Sequence, residues 1–109
     1  MAKVVFYEDH RGESPAIKFI DSLRQPKEKA KVVKVLDLLE EFGVNLKMPH
    51  ARPISGKLWE LRPGPNRLLY FAHVNKQFVI LHAFRKTTNE TPRHHIDTAQ
   101  RRMQEILEE

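Results

Sequence analysis

The stretch from Lys57 to Lys86, KLWELRPGPNRLLYFAHVNKQFVILHAFRK, decides the fold. It contains three runs of apolar, β-branched and aromatic residues, which suit a pleated strand. Two short segments, Pro63-Gly64-Pro65-Asn66 and Asn75-Lys76, separate the runs. Because proline, glycine and asparagine are the residues that chain reversals use, the pattern predicts a three-stranded antiparallel meander.

Side chains alternate across a strand, so each run presents two faces. In the second run, Arg67 and Leu69 lie on the face opposite to Leu68. In the third run, the same alternation predicts that Leu81 lies opposite to His82. Both faces of these runs are largely apolar, which predicts a sheet covered on both sides with its charges at the strand ends. That charged end is the candidate site.

The flanking residues predict one further strand and three helices. Residues 3 to 8 form a short apolar run typical of a strand. Ser14-Pro15 and Thr91-Pro92 each combine an N-cap residue with proline at the first helical position, so a helix is predicted after both. Between them, Pro26 opens a helix with apolar residues at helical intervals, and Gly43 ends it.

These elements predict an α+β fold in a single domain spanning residues 1–109. The first two helices form a hairpin whose apolar stripe needs the sheet as its partner. The expected architecture is an N-terminal strand and this hairpin packed on an antiparallel sheet of about four strands, with a C-terminal helix. Residues 44 to 56 lack a periodic pattern and are predicted to form a long loop of the kind that often binds a ligand.

Charge distribution favours an anionic partner. The net charge is +5, and between residues 57 and 93 only Glu60 and Glu90 oppose the basic side chains. Such a surface suits RNA, DNA or an acidic protein, and a solvated basic face with no ligand is the other interpretation. The basic residues of this stretch are Lys57, Arg62, Arg67, Lys76, Arg85, Lys86 and Arg93.

Composition also indicates a cytoplasmic location. The chain has no cysteine, which excludes disulfides and is more typical of a cytosolic protein than of a small secreted one. No apolar run approaches the roughly 20 residues that a membrane span needs. Acidic residues follow Met1 too soon for a signal peptide. We therefore expect a soluble protein without a membrane partner.

Known catalytic motifs are absent from the sequence. It has no nucleophilic cysteine, no Gly-x-Ser-x-Gly and no dinucleotide fingerprint. The adjacent His94 and His95 point about 100° apart on a helix, so no metal site is predicted. What remains is a set of guanidinium and ammonium groups with nearby histidines. Such a set suits a phosphodiester, because fixed cations stabilise the charge that develops on the phosphate and the 2′-OH of RNA supplies its own nucleophile.

Six motifs follow one another along nearly the whole chain. They are Gly12-Glu13-Ser14-Pro15, Phe19-Ile20-Asp21-Ser22-Leu23, Trp59-Glu60-Leu61-Arg62, Arg67-Leu68-Leu69-Tyr70, Leu81-His82-Ala83-Phe84-Arg85-Lys86-Thr87 and Thr91-Pro92. Each motif is modest alone, but in this order they are specific, and with them the sequence resembles the HigB branch of the RelE/ParE toxin superfamily.

This resemblance implies a RelE-like fold and a type II toxin that cleaves mRNA on the ribosome. A cognate helix-turn-helix antitoxin of the HigA-like kind would silence it. By analogy with the family, the 2′-OH attacks the adjacent phosphate and leaves a 2′,3′-cyclic phosphate and a 5′-hydroxyl. Neither a metal nor another cofactor takes part.

The resemblance also suggests roles for individual basic residues. Arg67 matches the strand arginine that binds the scissile phosphate. Lys86, or its neighbour Arg85, matches the basic pair that stabilises the transition state. The remaining cations would hold the RNA, and they are Lys57, Arg62, Arg52 and Arg93.

Proton transfer is the step for which the sequence departs from RelE. The C-terminal tyrosine of RelE has no counterpart, since Tyr7 and Tyr70 are the only tyrosines. His94 and His95 lie near the corresponding place and are the candidate substitutes, with surface histidines of no catalytic role as the alternative. Glu60 is a further candidate base, although pairing with the neighbouring arginines is the interpretation that we favour.

Two other functions use the same fold. A ParE-like toxin poisons DNA gyrase and performs no RNA chemistry, but the gyrase poisons generally lack the basic set of Arg67 and Lys86. A phage-derived binding module without catalysis would only dock an antitoxin or RNA. A fold hosts many functions, so the fold does not separate these alternatives.

Overall fold

A computed structural model describes residues 2–109. The described chain forms five strands and three α-helices around a single sheet. A short 3₁₀ turn, Gly43–Asn45, follows the second helix. In chain order the elements are β1 (Lys3–Phe6), α1 (Pro15–Ser22), α2 (Pro26–Phe42), β2 (Ala51–Ser55), β3 (Leu58–Leu61), β4 (Asn66–Ala72), β5 (Gln77–Arg85) and α3 (Arg93–Leu107).

The sheet has the order β1-β5-β4-β3-β2. Its centre is the predicted meander of β3, β4 and β5, in which each strand is antiparallel to the next. The sheet as a whole is mixed and not antiparallel as predicted, because β1 pairs in parallel with β5. The prediction of a loop over residues 44 to 56 was also wrong in part, since β2 lies within it and pairs with β3. Pro53 obscured this strand, and proline is tolerated there because β2 is an edge strand.

Helices cover both faces of the sheet, as the apolar runs predicted. On one face, Val32 and Leu39 of α2 pack with Leu68 of β4 in a core that also includes residues of α1. On the other face, Ala99 of α3 packs with Leu69 of β4. We call the second side the α3 face. The predicted alternation of Leu68 and Leu69 is therefore confirmed.

A β-bulge changes the faces of β5. Leu69 pairs with His82 and the next residue, Tyr70, pairs with Ile80, so Leu81 has no partner of its own in the ladder. An extra residue of this kind interrupts the alternation of side chains. Leu81 consequently packs in the α3-face core, and the prediction that it lies opposite to His82 was wrong.

The two helices that were predicted to begin at a proline, α1 and α3, differ in how their N-termini are capped. Ser14 caps α1, because its hydroxyl accepts a hydrogen bond from Ile17 N at 3.2 Å. Thr91 was expected to do the same for α3, but the N-cap position is Pro92 and the Thr91 hydroxyl donates to Glu60 instead. Thr91 therefore connects the start of α3 to β3. None of the helices within residues 2–109 is long and apolar enough to cross a membrane.

Candidate nucleic-acid interface

Strand register brings charged side chains together on the α3 face. Arg52 of β2 pairs with Glu60 of β3, Glu60 pairs with Leu69 of β4, and Leu69 pairs with His82 of β5. Neighbouring strands are about 4.8 Å apart, so these side chains form one row across the sheet. Arg67 lies two residues before Leu69 and therefore on the same face. We call Arg52, Glu60, Arg62 and Arg67 the basic cluster.

Glu60 lies at the centre of the basic cluster and is only 1% exposed. Its Oε1 accepts a hydrogen bond from Arg52 Nε at 2.9 Å. The same oxygen is 3.8 Å from Arg67 Nε and 3.9 Å from Arg62 Nε. Oε2 accepts a hydrogen bond from the Thr91 hydroxyl. One carboxylate thus serves three guanidinium groups, which leaves the basic cluster with an excess of positive charge.

Arg67 is fixed by the backbone of the turn between β3 and β4. Its Nη1 donates to the carbonyl oxygens of Gly64 and Asn66, both at 2.7 Å. Within residues 2–109, Arg67 Nε and Nη2 have no hydrogen-bond acceptor, and neither is a buried unpaired atom. Burial and the neighbouring Arg62 lower the pKa of Arg67, but an arginine remains charged in proteins. Arg67 is thus a cation held in a fixed position, and its Nε and Nη2 remain able to donate hydrogen bonds to a ligand.

The two basic residues that end β5 lie on different sides of the sheet. Arg85 Nη1 donates to Glu28 Oε1 of α2 at 2.8 Å, so Arg85 faces the helical hairpin and not the basic cluster. Hydrogen bonds from Asn66 and Arg85 lower the pKa of Glu28, which holds this pair in its charged form. Lys86 is exposed, and its backbone N–H donates to Pro65 O at 2.9 Å. Lys86 directly follows β5, and continued alternation from Phe84, which pairs with Arg67, predicts that its side chain lies on the side of Arg67.

The other predicted RNA-binding residues are spread more widely. Arg62 Nη1 lies 3.2 Å from Met48 Sδ, and Arg62 Nε is buried without a partner within residues 2–109. Arg93 is exposed and pairs with Asp97 at 3.1 Å on the outside of α3. Lys57 is exposed in the turn before β3, and among residues 2–109 it forms no hydrogen bond or ion pair with the basic cluster.

Two histidines, an arginine and a phenylalanine form a second group beside the basic cluster. His95 of α3 stacks on Phe84 of β5, with 3.8 Å between ring centroids and 9° between planes. His95 Nδ1 is 2.7 Å from His82 Nε2, and His82 Nδ1 is 3.1 Å from Arg102 Nη1. We call these four residues the histidine cluster. His94 is exposed, and its ring centroid is 4.0 Å from that of His95.

Both clustered histidines are shifted towards the neutral form. Burial lowers the pKa of His82 to about 4, and Arg102 and the histidines of α3 lower it in the same direction. Burial also lowers the pKa of His95, with a further contribution from His94. Both rings are therefore uncharged at neutral pH.

Sequence reasoning missed His82 and Arg102 as site residues. The sequence offered one signal for His82, because it is a titratable side chain in an otherwise apolar strand. Alternation predicted it on the same face as Phe84. Arg102 gave no signal, because its contact with His82 depends on how α3 lies on the sheet. Among residues 2–109, no group of three or more histidine, aspartate or glutamate side chains is arranged to hold a metal ion.

The profile of the family described as Phage derived protein Gp49-like matches residues 18–104. The chain belongs to this Gp49-like family. The matched segment includes both clusters and every predicted site residue, whereas β1 lies outside it. No curated protein matches the sequence.

A solved structure shows which fold this Gp49-like protein has. The Gp49-like protein is similar to a chain in the crystal structure of the toxin–antitoxin complex RelBE2 from Mycobacterium tuberculosis, with a TM-score of 0.58 and 21% sequence identity. The likeness covers 78% of this chain and 98% of that chain. The predicted RelE-like α+β fold is therefore confirmed.

Proposed function

We propose that this Gp49-like protein is the toxin of a type II toxin–antitoxin system and that it cleaves mRNA on the ribosome. The fold shared with a chain of a toxin–antitoxin complex and the HigB-like motifs support this assignment. On the same grounds we propose a cytoplasmic location. The partner that silences the toxin would be a helix-turn-helix antitoxin of the HigA-like kind.

The basic cluster is the observation on which the nuclease assignment depends. Arg67 is held by two carbonyl oxygens at 2.7 Å and has further donors without protein partners among residues 2–109. Three guanidinium groups around one carboxylate favour the binding of an additional anion. A phosphate diester fits this requirement, since planar guanidinium groups bind phosphate oxygens in pairs.

The proposed reaction uses the substrate's own nucleophile. The 2′-oxygen loses its proton to a base, for which His94 is the candidate, and forms a bond to phosphorus, while the bond from phosphorus to the 5′-oxygen breaks. The leaving 5′-oxygen takes up a proton, and the products are a 2′,3′-cyclic phosphate and a 5′-hydroxyl. Arg67 and Lys86 stabilise the charge on the phosphate, and removing one such donor typically costs 10²–10³ in rate.

Other residues are assigned according to their contacts. Glu60 is a positioning residue for the arginines, because protein donors occupy both of its oxygens. At the start of α3, His94 is the candidate for proton transfer and His95 the candidate for hydrogen bonding at the phosphate. Arg52 and Arg62 hold the RNA backbone together with Lys57 and Arg93. The reaction needs no metal, because the 2′-OH is the nucleophile.

Induced expression without an antitoxin tests this proposal. We expect the wild-type protein to arrest growth and Lys86→Ala to relieve the arrest. Lys29→Ala is the matched control, because it removes an exposed lysine from α2 on the other side of the sheet. Arg67→Ala should also relieve the arrest, with a melting curve recorded because Arg67 also holds a turn. Undiminished toxicity of Lys86→Ala and of a folded Arg67→Ala would reject the site.

A further inference from the structure

The histidine cluster contains a half-buried titratable residue, His82, to which the proposed reaction gives no role. We propose that His82 and Arg102 fix the tautomer of His95, so that His95 presents Nε2–H to the scissile phosphate as a neutral hydrogen-bond donor and is not the general base. This inference rests on the proposed function and assigns His82 and Arg102 as positioning residues.

The direction of the hydrogen bonds follows from Arg102. A guanidinium group only donates, so His82 Nδ1, at 3.1 Å from Arg102 Nη1, must be the acceptor. Neutral His82 then carries its proton on Nε2 and donates to His95 Nδ1 at 2.7 Å. Because Nδ1 of His95 accepts, neutral His95 carries its own proton on Nε2.

Arg102 is itself well fixed. Its Nη1 also donates to Leu81 O of the β5 bulge at 2.8 Å, and its guanidinium carbon is 5.3 Å from the centre of the Tyr7 ring. The Tyr7 hydroxyl donates to Glu105 at 2.8 Å. If His82 carried its proton on Nδ1, the Nδ1–H group would face an N–H group of Arg102, and neither could accept a hydrogen bond. The direction of the hydrogen bonds is therefore set by Arg102, which Leu81 of β5 and the Tyr7 ring hold in place.

The free nitrogen of His95 is open to solvent on the α3 face, the same face of the sheet as Arg67. Within residues 2–109, His95 Nε2 has no hydrogen-bond partner and is not a buried unpaired atom, so it reaches solvent. The His95 ring stacks on Phe84, which pairs with Arg67 across the ladder. Phe84 and Arg67 lie about one strand spacing, 4.8 Å, apart, so the ring that carries His95 is a direct neighbour of Arg67 in the sheet.

Protonation of His95 is opposed by its surroundings. The charged or titratable groups that act on the paired rings from α3 are His94, Arg101 and Arg102, and all are basic. From β5, Phe84 covers the ring and brings no charge. His95 therefore remains a neutral donor at neutral pH, a role that stabilises phosphate charge without accepting the proton of the 2′-OH.

Imidazole nitrogen NMR tests the tautomer directly. The full chain, with ¹⁵N-labelled histidine, is made by cell-free synthesis to avoid toxicity, and long-range ¹H–¹⁵N spectra are recorded across pH. We expect protonated Nε2 and unprotonated Nδ1 in His95 of the wild type. His82→Leu should give mixed tautomers and a higher pKa of His95. His82→Gln, whose amide keeps a donor at the corresponding atom, should retain the wild-type tautomer.

Two further variants control this measurement. Arg102→Leu frees His82 Nδ1 and should also mix the tautomers of His95. His73→Leu removes a half-buried histidine that contacts Phe71 at the other end of β4, and it should leave His95 unchanged. A proton on Nδ1 of His95 in the wild type, or a tautomer unaffected by both His82→Leu and Arg102→Leu, would overturn the inference.

Cleavage of mRNA on translating ribosomes tests the catalytic consequence. We expect His95→Ala to lower the rate by about 10²–10³, the range for losing one transition-state donor. His82→Leu should lower it less, on the order of 10-fold, and His82→Gln should restore it. Equal rates for wild type and His82→Leu would overturn the positioning role. Absence of cleavage by the wild type would reject the proposed function itself, and the NMR result would then stand as a property of the fold alone.

Discussion

Glu60 sets the charge balance of the basic cluster. Glu60 is 1% exposed, whereas its closest charged partner, Arg52, is 32% exposed at the side chain. Removing one member of a buried ion pair typically costs 3–5 kcal/mol, and the exposure of Arg52 places the expected loss at about 3 kcal/mol. Urea unfolding of Glu60→Gln measures this loss.

A matched control for Glu60→Gln is available at the surface. Glu13 pairs with Arg11 at 3.3 Å and Lys18 at 3.0 Å, but all three side chains are at least 41% exposed. Exposed pairs contribute about 1 kcal/mol or less, so Glu13→Gln should unfold close to the wild type. Equal effects of the two substitutions would contradict the central position given to Glu60.

His82 makes stability depend on pH. Burial is the main cause that lowers its pKa from 6.5 to about 4, and Arg102 is the second. Between these two pH values the unfolded chain therefore binds more protons than the folded chain. The stability that neutral His82 contributes is present above about pH 6.5 and is lost as the pH falls towards 4. The loss is on the order of 2–3 kcal/mol, discounted because the residue retains some exposure.

Unfolding experiments at pH 7.5 and 4.5 check this dependence. The wild type should lose more stability between these values than His82→Leu, since the variant has no group to protonate at that position. His73→Leu should follow the wild type. A pH dependence of His82→Leu equal to that of the wild type would show that His82 is not buried in the neutral form.

The sequence predicted side-chain contacts correctly where both residues lie on neighbouring strands of the predicted meander. Pairing of Glu60 with Arg62 and Arg67 follows from neighbouring strands and was expected. The contacts of Arg52 with Glu60 and of Arg102 with His82 depend on an unpredicted strand and on helix docking. Strand alternation already separates Arg85 from Lys86, whereas the partner of Arg85, Glu28 of α2, was not predicted.

At the level of elements, helix α1 depends on its cap. The Ser14 hydroxyl accepts from Ile17 N at 3.2 Å, and losing such a cap typically costs about 1 kcal/mol. Ser14→Ala should therefore lower the free energy of unfolding by about this amount. Ser22→Ala is the control, because Ser22 lies exposed at the end of α1 and its change should fall within about 0.5 kcal/mol.

The elements that the sequence predicted are those with strong periodicity. The meander and the helices carry uninterrupted apolar patterns, and proline or glycine marks where α1 and α2 begin or end. Strand β2 was missed because it is short, contains Pro53 and has polar residues between its apolar ones. The parallel pairing of β1 with β5 joins the first strand to the last, a contact that periodicity does not encode.

At the level of the whole molecule, positive charge on the α3 face should appear in the salt dependence of RNA binding. Each phosphate contact with a single strand contributes a slope of about 0.7 in log affinity against log salt. With a 2′-O-methyl RNA, which is not cleaved, Lys86→Ala should reduce the slope by about this amount. Lys29→Ala should keep the wild-type slope, and an equal reduction by both would indicate a diffuse surface instead of a site.

The measurement that tests the central claim most directly is the mapping of transcript 5′ ends after induction, with and without active translation. We predict new 5′-hydroxyl ends inside translated codons for the wild type, their loss when translation is blocked, and their absence with Lys86→Ala. Growth arrest without new RNA ends, accompanied by gyrase-linked DNA damage, would contradict the account.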